Sequence, residues 1–385
     1  MNHTFESLQE DIASGRLTTD EMVLNMGPQH PSTHGVLRLE LVLDGEMVVK
    51  VIPHMGYLHR CFEKHAENMT YPQVIPYTDR MDYLAAMNNN HGYVLAVERL
   101  MGIELPDRVE YIRIIMAELQ RIASHLVAIG TFGMDIGAFT PFLYCFRDRE
   151  YILDIFEKTC GARLLYNYMW VGGVSHDVHD GFVQEVAAFI KHFRPTVVEV
   201  NNLLNYNKIF IERTANIGVL PADVALSYSC SGPMLRGSGV NWDLRRDDPY
   251  CIYDRFDWDV VVGTGEAGTL GDCWDRHMVR VREMEQSCRI IEQALASFPE
   301  GDVTSAIPKK IRPPKGEIYT RVENPRGELG YYVVSDGTGN PFRVKARGPS
   351  FVNLSVMDDI SRGHLIADIV AILGSVDIVL GEIDR

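Results

Sequence analysis

The sequence predicts an α+β protein, mainly α, on three observations. Two long stretches, Arg108 to Ile129 and Cys273 to Phe298, repeat apolar residues at three- and four-residue steps. A strand–turn–strand pattern precedes them, and a Pro-rich connector followed by two more strand patterns comes after. The chain divides on this reading into a β-rich region over residues 1–75, a helical core over 76–300 and a C-terminal α+β region over 301–385.

The first element is a turn and hairpin. Gly27 to Arg38 holds His30 and His34 around Pro31, and proline between them disfavours a helical metal pair, so a loop is expected. Leu37, Leu39, Leu41 and Leu43 then share one face, with Arg38 and Glu40 on the other, up to the turn pair Asp44-Gly45. The return strand runs from Glu46 to about Ile52. Such a hairpin fixes the preceding loop, and His34 is expected to be positioned rather than free.

The helical middle follows. Ile112, Ile115, Leu119, Ile122, Leu126 and Ile129 form one stripe behind a start at Pro106-Asp107. Met278, Val281, Met284, Cys288, Ile291 and Leu295 form the other, whose opposite Arg/Glu-rich face reads as solvated or partner-facing. Further helices are expected at Asp82 to Met101, Arg147 to Thr159, Gly181 to Lys191 and Val197 to Asn205, giving a bundle-like core. Pro308 to Gly316 marks a boundary. Beyond it, strands are expected at Glu328 to Val334 and Phe342 to Arg347 and a last helix at Arg362 to Leu373.

Composition narrows the function. With 37 basic and 52 acidic residues, net −15, the chain is a poor match for nucleic acid or anionic lipid, and its only basic cluster, Lys309 to Lys315, is short. Met1 to Leu24 is acidic without a long apolar stretch, which reads as neither leader nor anchor and points to the cytoplasm. Leu365 to Leu380 is broken by Asp368 and Asp377 and is too short to span a bilayer. The seven cysteines include no C-x-x-C pair, the usual signature of iron–sulfur and structural zinc sites. Any electron carrier is therefore expected in a partner, with no metal in this chain.

Each candidate site has a plainer alternative. His30 and His34 could simply satisfy loop carbonyls, and Tyr83 could pack at a helix start with its hydroxyl at the surface. Asp135 sits in an apolar, glycine-flanked stretch read as a loop after the long helix; if buried it needs a partner, and a histidine is one candidate. His176-Asp177-Val178-His179-Asp180 reads as caps and solvated residues rather than a metal site. Gly263 to Gly268 is a literal G-x-G-x-x-G, but Gly271 interrupts and no second strand follows, so a glycine loop is favoured over a dinucleotide site. No G-x-S-x-G elbow occurs. Arg60 and Lys64 could face an anionic partner, with a solvated helix face as the favoured alternative.

Gly27 to Arg38, Pro53 to Arg60 with Phe62-Glu63-Lys64, Arg80 to Tyr83, Thr140 to Phe142, Arg147 to Glu150, Arg236 to Gly239, Arg326 to Gly330 and the Asp384-Arg385 end together resemble one family. It is that of the hydrogenase-like large subunits of respiratory complex I, the proton-pumping NADH:quinone oxidoreductase. The resemblance covers nearly the whole chain. It implies a helical bundle similar to the large subunit of nickel–iron hydrogenases, with the two C-x-x-C pairs lost and Arg80 to Tyr83 and the Asp384 end in their places. It further implies a quinone chamber shared with the Fe–S cluster partner (the B subunit), which carries a 4Fe–4S cluster, and contacts with the C and I subunits and the membrane-embedded H subunit. The chain would then lie peripherally on the cytoplasmic side of the cell inner membrane, with menaquinone or ubiquinone as substrate. His34 and Tyr83 would bind the quinone headgroup, Asp135 would pair with His34, and Arg60 would lie near the partner's cluster. A phenol of reference pKa about 10 and an imidazole near 6.5, oriented and favoured as cation by Asp135, suit donation to a carbonyl oxygen under reduction. A ferredoxin-driven variant and a non-catalytic scaffold are the alternatives.

Four departures stand out. Leu165 and Trp170 occupy positions where many relatives have histidine and arginine, the link from Phe298 to Lys315 is short, and Cys61 stands where glycine is common. Losing the histidine is expected to give the neighbouring cluster a lower, less pH-dependent potential, which suits a low-potential quinone such as menaquinone.

Overall fold

The structure is a computed structural model that describes Ser14 and residues 21–385. Most of the N-terminal stretch read as lacking a leader lies outside the described residues. The N-terminal sheet has three antiparallel strands, β1 (Glu21–Met26), β2 (Arg38–Asp44) and β3 (Met47–His54), in the order 1-2-3. The expected hairpin is β2–β3, with Arg38 opposite His54 and Asp44 opposite Met47. Leu37, Leu39, Leu41 and Leu43 are buried, as the alternation required. Strand β1 carries no such signal: Met22 and Val23 are 52% and 59% exposed, and only Met26 reaches the core.

The core is helical. Helix α1 (Ala86–Met101) starts four residues later than expected, leaving Tyr83 in a turn. Helix α2 (Asp107–Asp135) runs six residues past the expected end, because its late glycines serve packing rather than termination. A Cβ on Gly130 would meet Phe142 and Cys145 at 3.3 Å, and one on Gly133 would meet Leu204 at 3.0 Å. Asp135 is thus on the last turn of a helix, not in a loop. Helix α3 (Phe139–Cys160) begins well before Arg147; Pro141 falls in its first turn, where the missing N–H has no helical acceptor anyway. The two helices expected around Pro195 are one, α4 (Phe182–Val200), which runs through the proline into a π-helical turn at Asn201–Asn205.

Helix α5 (Cys273–Ala296) is capped by Asp272, which accepts from the Asp275 N–H at 2.9 Å. Its polar face corrects the sequence expectation. Arg276, Arg280 and Glu283 are buried, and only part of that face, including Glu285, Arg289 and Glu292, reaches solvent. Each buried charge has partners: Glu283 meets His125 on α2 at 2.9 Å, Arg276 donates to the Gly218 and Gly271 carbonyls and to Ser375 Oγ, and Arg280 lies 3.7 Å from Asp377, while Glu118 on α2 takes Arg121, Arg245 and Ser287.

The C-terminal sheet contains the two expected strands, β5 (Gly327–Ser335) and β6 (Arg343–Arg347), plus β4 (Gly316–Asn324), which the sequence reading missed. It packs on α1, where Gly92 lets Val322 and Tyr331 approach. The last long helix, α6 (Ile366–Val376), sits C-terminal of its expected place and is followed by the short α7 (Leu380–Asp384). Helix α6 touches α2, α5 and the histidine turn at once. Among the described residues no helix is long and apolar enough to cross a membrane.

Candidate functional site

The histidine turn is built by local chemistry. Gly27 has φ +87, and a Cβ there would lie 2.1 Å from the Leu37 carbonyl oxygen, so the chain can close only with glycine. His30 caps a single 3₁₀ turn, Pro31–Thr33: its Nδ1 accepts from the Ser32 N–H at 3.2 Å, and Thr33 Oγ1 donates to its carbonyl at 2.8 Å. His30 is structural. His34 comes next in the left-handed region, φ 52 and ψ 38, a conformation costing about 1–2 kcal/mol for a residue with a side chain. That strain turns its imidazole toward the end of α2. Nε2 lies 3.4 Å from Asp135 Oδ2, and both atoms are buried with no hydrogen-bond partner among the described residues. Helix α6 closes this pair from the side. A Cβ on Gly374 would lie 2.7 Å from the Phe132 ring and 3.5 Å from Asp135 Oδ2.

A second centre surrounds Tyr83. Arg326, in the turn between β4 and β5, donates to Asp82 Oδ2 at 2.7 Å, to Ser124 Oγ at 3.1 Å and to the Asp377 carbonyl at 3.0 Å. Arg60 donates to the Arg80 carbonyl at 2.6 Å. Asp384 accepts from the Gly56 and Leu58 N–H groups at 2.8 and 2.6 Å. A Cβ on Gly381 would lie 2.4 Å from the Met81 carbonyl oxygen, so the C-terminal segment lies directly on the Arg80–Tyr83 segment. Burial raises the Tyr83 pKa above its ordinary value and Asp82 adds to this, while Arg326 and Arg60 pull the other way. The side chain is a protonated phenol at neutral pH, and its hydroxyl has no hydrogen-bond partner among the described residues.

The structure therefore brings His34 to Asp135, and Tyr83 into the field of Arg60, without a hydrogen bond between the two sets. Helix α6 joins them: Gly374 abuts Asp135, and three residues on, Asp377 binds the arginine that holds Asp82. Sequence reasoning missed Arg326, Asp82 and Asp377 as a group. The one signal was an aspartate inside the apolar run of 365–380, a residue that burial would force to find a cation.

Arg60 is exposed and lines, with Phe62, Pro76, Tyr77 and Arg80, an open cavity of about 430 Å³. Lys64 instead pairs with Glu67 at 2.6 Å on the surface. Cys61 is exposed at φ 55, a backbone conformation that favours glycine. Leu165 and Asn167 are also left-handed, at φ 60 and 45, and Asn167 N–H donates to Asp79 at 2.9 Å.

The other candidates resolve into structure. His179 bridges Thr159 and Glu185 at 2.9 Å each, and Asp177 binds Arg108. No group of three potential metal ligands occurs among the described residues. No helix opens from Gly263 to Gly268. The N–H groups of Thr264 and Gly265 point at Asp275 at 3.3 and 3.1 Å, so an internal carboxylate occupies the anion position a phosphate would need.

A family model described as respiratory-chain NADH dehydrogenase, 49 Kd subunit, matches residues 135–313 and 305–385. The NADH-quinone oxidoreductase D subunit of Chlorobaculum tepidum is 61% identical over 96% of this chain and 93% of its own length. Those of Chlorobaculum parvum and Chlorobium luteolum are each 60% identical over 96% of this chain, covering 93% and 94% of theirs. With both half-sites embedded in that fold, the chain belongs to the family of NADH-quinone oxidoreductase D subunits, the 49 kDa subunits of complex I.

Proposed function

We propose that this protein builds the quinone-reducing site of the enzyme together with the Fe–S cluster partner, the B subunit. The observation that carries the reading is the protonated, unpartnered Tyr83 hydroxyl, tied through Arg326, Asp377 and α6 to the His34–Asp135 pair. Reducing a quinone to a quinol takes two electrons and two protons. A 4Fe–4S cluster in the partner supplies the electrons. Tyr83 and His34 donate hydrogen bonds to the carbonyl oxygens of the headgroup, whose basicity grows with reduction, and then give up their protons. Asp135, 3.4 Å from His34 Nε2, orients the ring toward the headgroup. Arg60 provides a fixed positive charge that favours the reduced state of the neighbouring cluster.

In the assembled enzyme the protein sits peripherally on the cytoplasmic side of the inner membrane, against the B, C and I subunits and the membrane-embedded H subunit. Movement of loops around the chamber transmits quinone reduction to the proton-pumping subunits. Leu165 in place of a titratable side chain lowers the cluster potential and flattens its pH dependence, in line with menaquinone; a steep slope in a potential titration against pH overturns that part.

The test is Tyr83→Phe in the assembled complex. Assembly and NADH-driven cluster reduction remain, while quinone reduction falls by about 10²-fold or more. Normal turnover with several quinones rules the reading out and leaves a scaffold.

A further inference from the structure

Arg60 is exposed, yet its main chain and its guanidinium are both held by one short stretch, residues 381–385 on and just after α7. Its N–H donates to the Arg385 main-chain oxygen at 3.1 Å. Its Nη2 donates to the Arg80 carbonyl at 2.6 Å and lies 3.5 Å from the Gly381 carbonyl. The turn before it, Gly56 to His59, is tied to Asp384. Gly56 and Leu58 give their N–H groups to the two carboxylate oxygens at 2.8 and 2.6 Å, and His59 Nδ1 meets the Asp384 carbonyl at 2.6 Å.

This turn leaves β3 after His54 and belongs to no helix or strand, so its N–H groups need an acceptor outside any ladder. Met55 and Tyr57 within it are exposed, and little apolar packing holds it down. Asp384 is buried, and among the described residues no cation pairs with its carboxylate. The cations of the same corner are engaged elsewhere: Arg343 and Lys345 pair with Glu63, and Arg385 donates to the Ala346 carbonyl. The charge of Asp384 is thus held by the two N–H donors, at the short distances of charge-assisted hydrogen bonds. Its contacts fix the backbone that delivers Arg60.

We propose that Asp384 is the positioning residue for Arg60 and sets where that charge stands toward the partner's 4Fe–4S cluster. The inference rests on the reading of Arg60 given above. The sign of the effect separates positioning from plain electrostatics. Asparagine removes a negative charge, which by itself favours the reduced cluster and raises its potential. It also has one acceptor oxygen where Asp384 uses two, so its amide N–H group faces a main-chain N–H and one anchor of the turn is lost. Arg60 then leaves its place, and the potential falls.

The test is a potential titration of the partner's cluster, followed by electron paramagnetic resonance, in the assembled complex. Wild type is compared with Arg60→Gln, Asp384→Asn, Asp384→Glu and the double variant Arg60→Gln/Asp384→Asn. Arg60→Gln lowers the potential. Asp384→Asn lowers it too, by a smaller amount, and so does Asp384→Glu, which keeps the charge but carries the carboxylate one methylene out of line with the two N–H groups. The double variant falls no further than Arg60→Gln alone, because Asp384 acts through the side chain it positions. If Arg60→Gln leaves the potential unchanged, the reading of Arg60 falls and this proposal with it. If Arg60→Gln lowers the potential while Asp384→Glu leaves it unchanged, or Asp384→Asn leaves it unchanged or raises it, Arg60 keeps its role and only the positioning proposal falls. Should one Asp384 variant fail to assemble, the other decides alone.

Discussion

Arg326 and Asp82 meet at 2.7 Å with neither side chain in solvent. The same guanidinium reaches Ser124 on α2 and both the carbonyl and carboxylate of Asp377 after α6, so one side chain joins the β4–β5 turn, two helices and the Tyr83 turn. Burial opposes its charge, but Asp377 and Asp82 more than offset this and hold its pKa above the ordinary value.

Removing that cation strands the buried Asp82 carboxylate and leaves Asp377 with Arg280 alone, 3.7 Å away. Arg326→Gln should destabilise the protein by about 3–5 kcal/mol, the usual cost of breaking a buried pair from one side. Arg326→Lys should recover only part of this, because a single ammonium cannot reproduce donors aimed in four directions. The measurement is retention of the chain in the purified complex and its melting temperature. Wild-type behaviour of both variants would contradict the role of Arg326.

Asp79 gives a pH prediction with a definite sign. Its pKa is raised from 3.8 to about 7, chiefly by burial, with the Asn167 N–H pulling the other way. The folded state therefore binds the proton more tightly than the unfolded chain between about pH 4 and pH 7, and stability falls as pH rises through that window. Above it the accumulated loss levels off at about 4 kcal/mol. Asp79→Asn, which still offers Asn167 an acceptor, should match the wild type in mild acid and melt higher on the alkaline side. Equal melting at all pH values would show that Asp79 is ionised without cost.

Cys61 illustrates a simpler strain. At φ 55 its side chain costs about 1–2 kcal/mol that glycine would not. Cys61→Gly should raise stability by up to that amount and leave quinone reduction unchanged. A fall in stability would mean that the thiol makes a compensating contact in the assembled enzyme.

These relationships show what periodicity can and cannot reveal. The stripes of α2 and α5 and the alternation of β2 were legible because burial repeats with the element's own period. Strand β1 was not, since its exposed edge imposes no alternation, and Pro195 and Gly133 misled because tertiary packing overrides local breakers. The polar face of α5 misled in the opposite sense. Arg276, Arg280 and Glu283 look solvated one helix at a time, and only pairing between distant segments makes them core. The candidate residues His34, Tyr83 and Asp135 came from the family resemblance, whereas the pairing of Arg326 with Asp82 and Asp377 depends on how the C-terminus folds back, which no local pattern encodes.

Gly374 tests whether that fold-back matters for the site. It lies where α6 crosses the end of α2, and an added Cβ would stand 2.7 Å from the Phe132 ring, closer than real contacts allow. Phe132 is itself packed edge-on against Phe210 at 5.6 Å and tilted on His277 at 5.4 Å, so it has little room to retreat. Gly374→Ala must therefore push α6 off α2, costing about 1–3 kcal/mol as overpacking does. The displacement acts on Asp135, 3.5 Å away, and on Asp377 one turn further along the helix. Quinone reduction should fall more than cluster reduction. A compensating Phe132→Leu change, which makes room for the methyl group, should restore part of it. If Gly374→Ala lowers melting temperature but leaves quinone reduction intact, α6 is a stabilising clamp and does not position the His34–Asp135 pair.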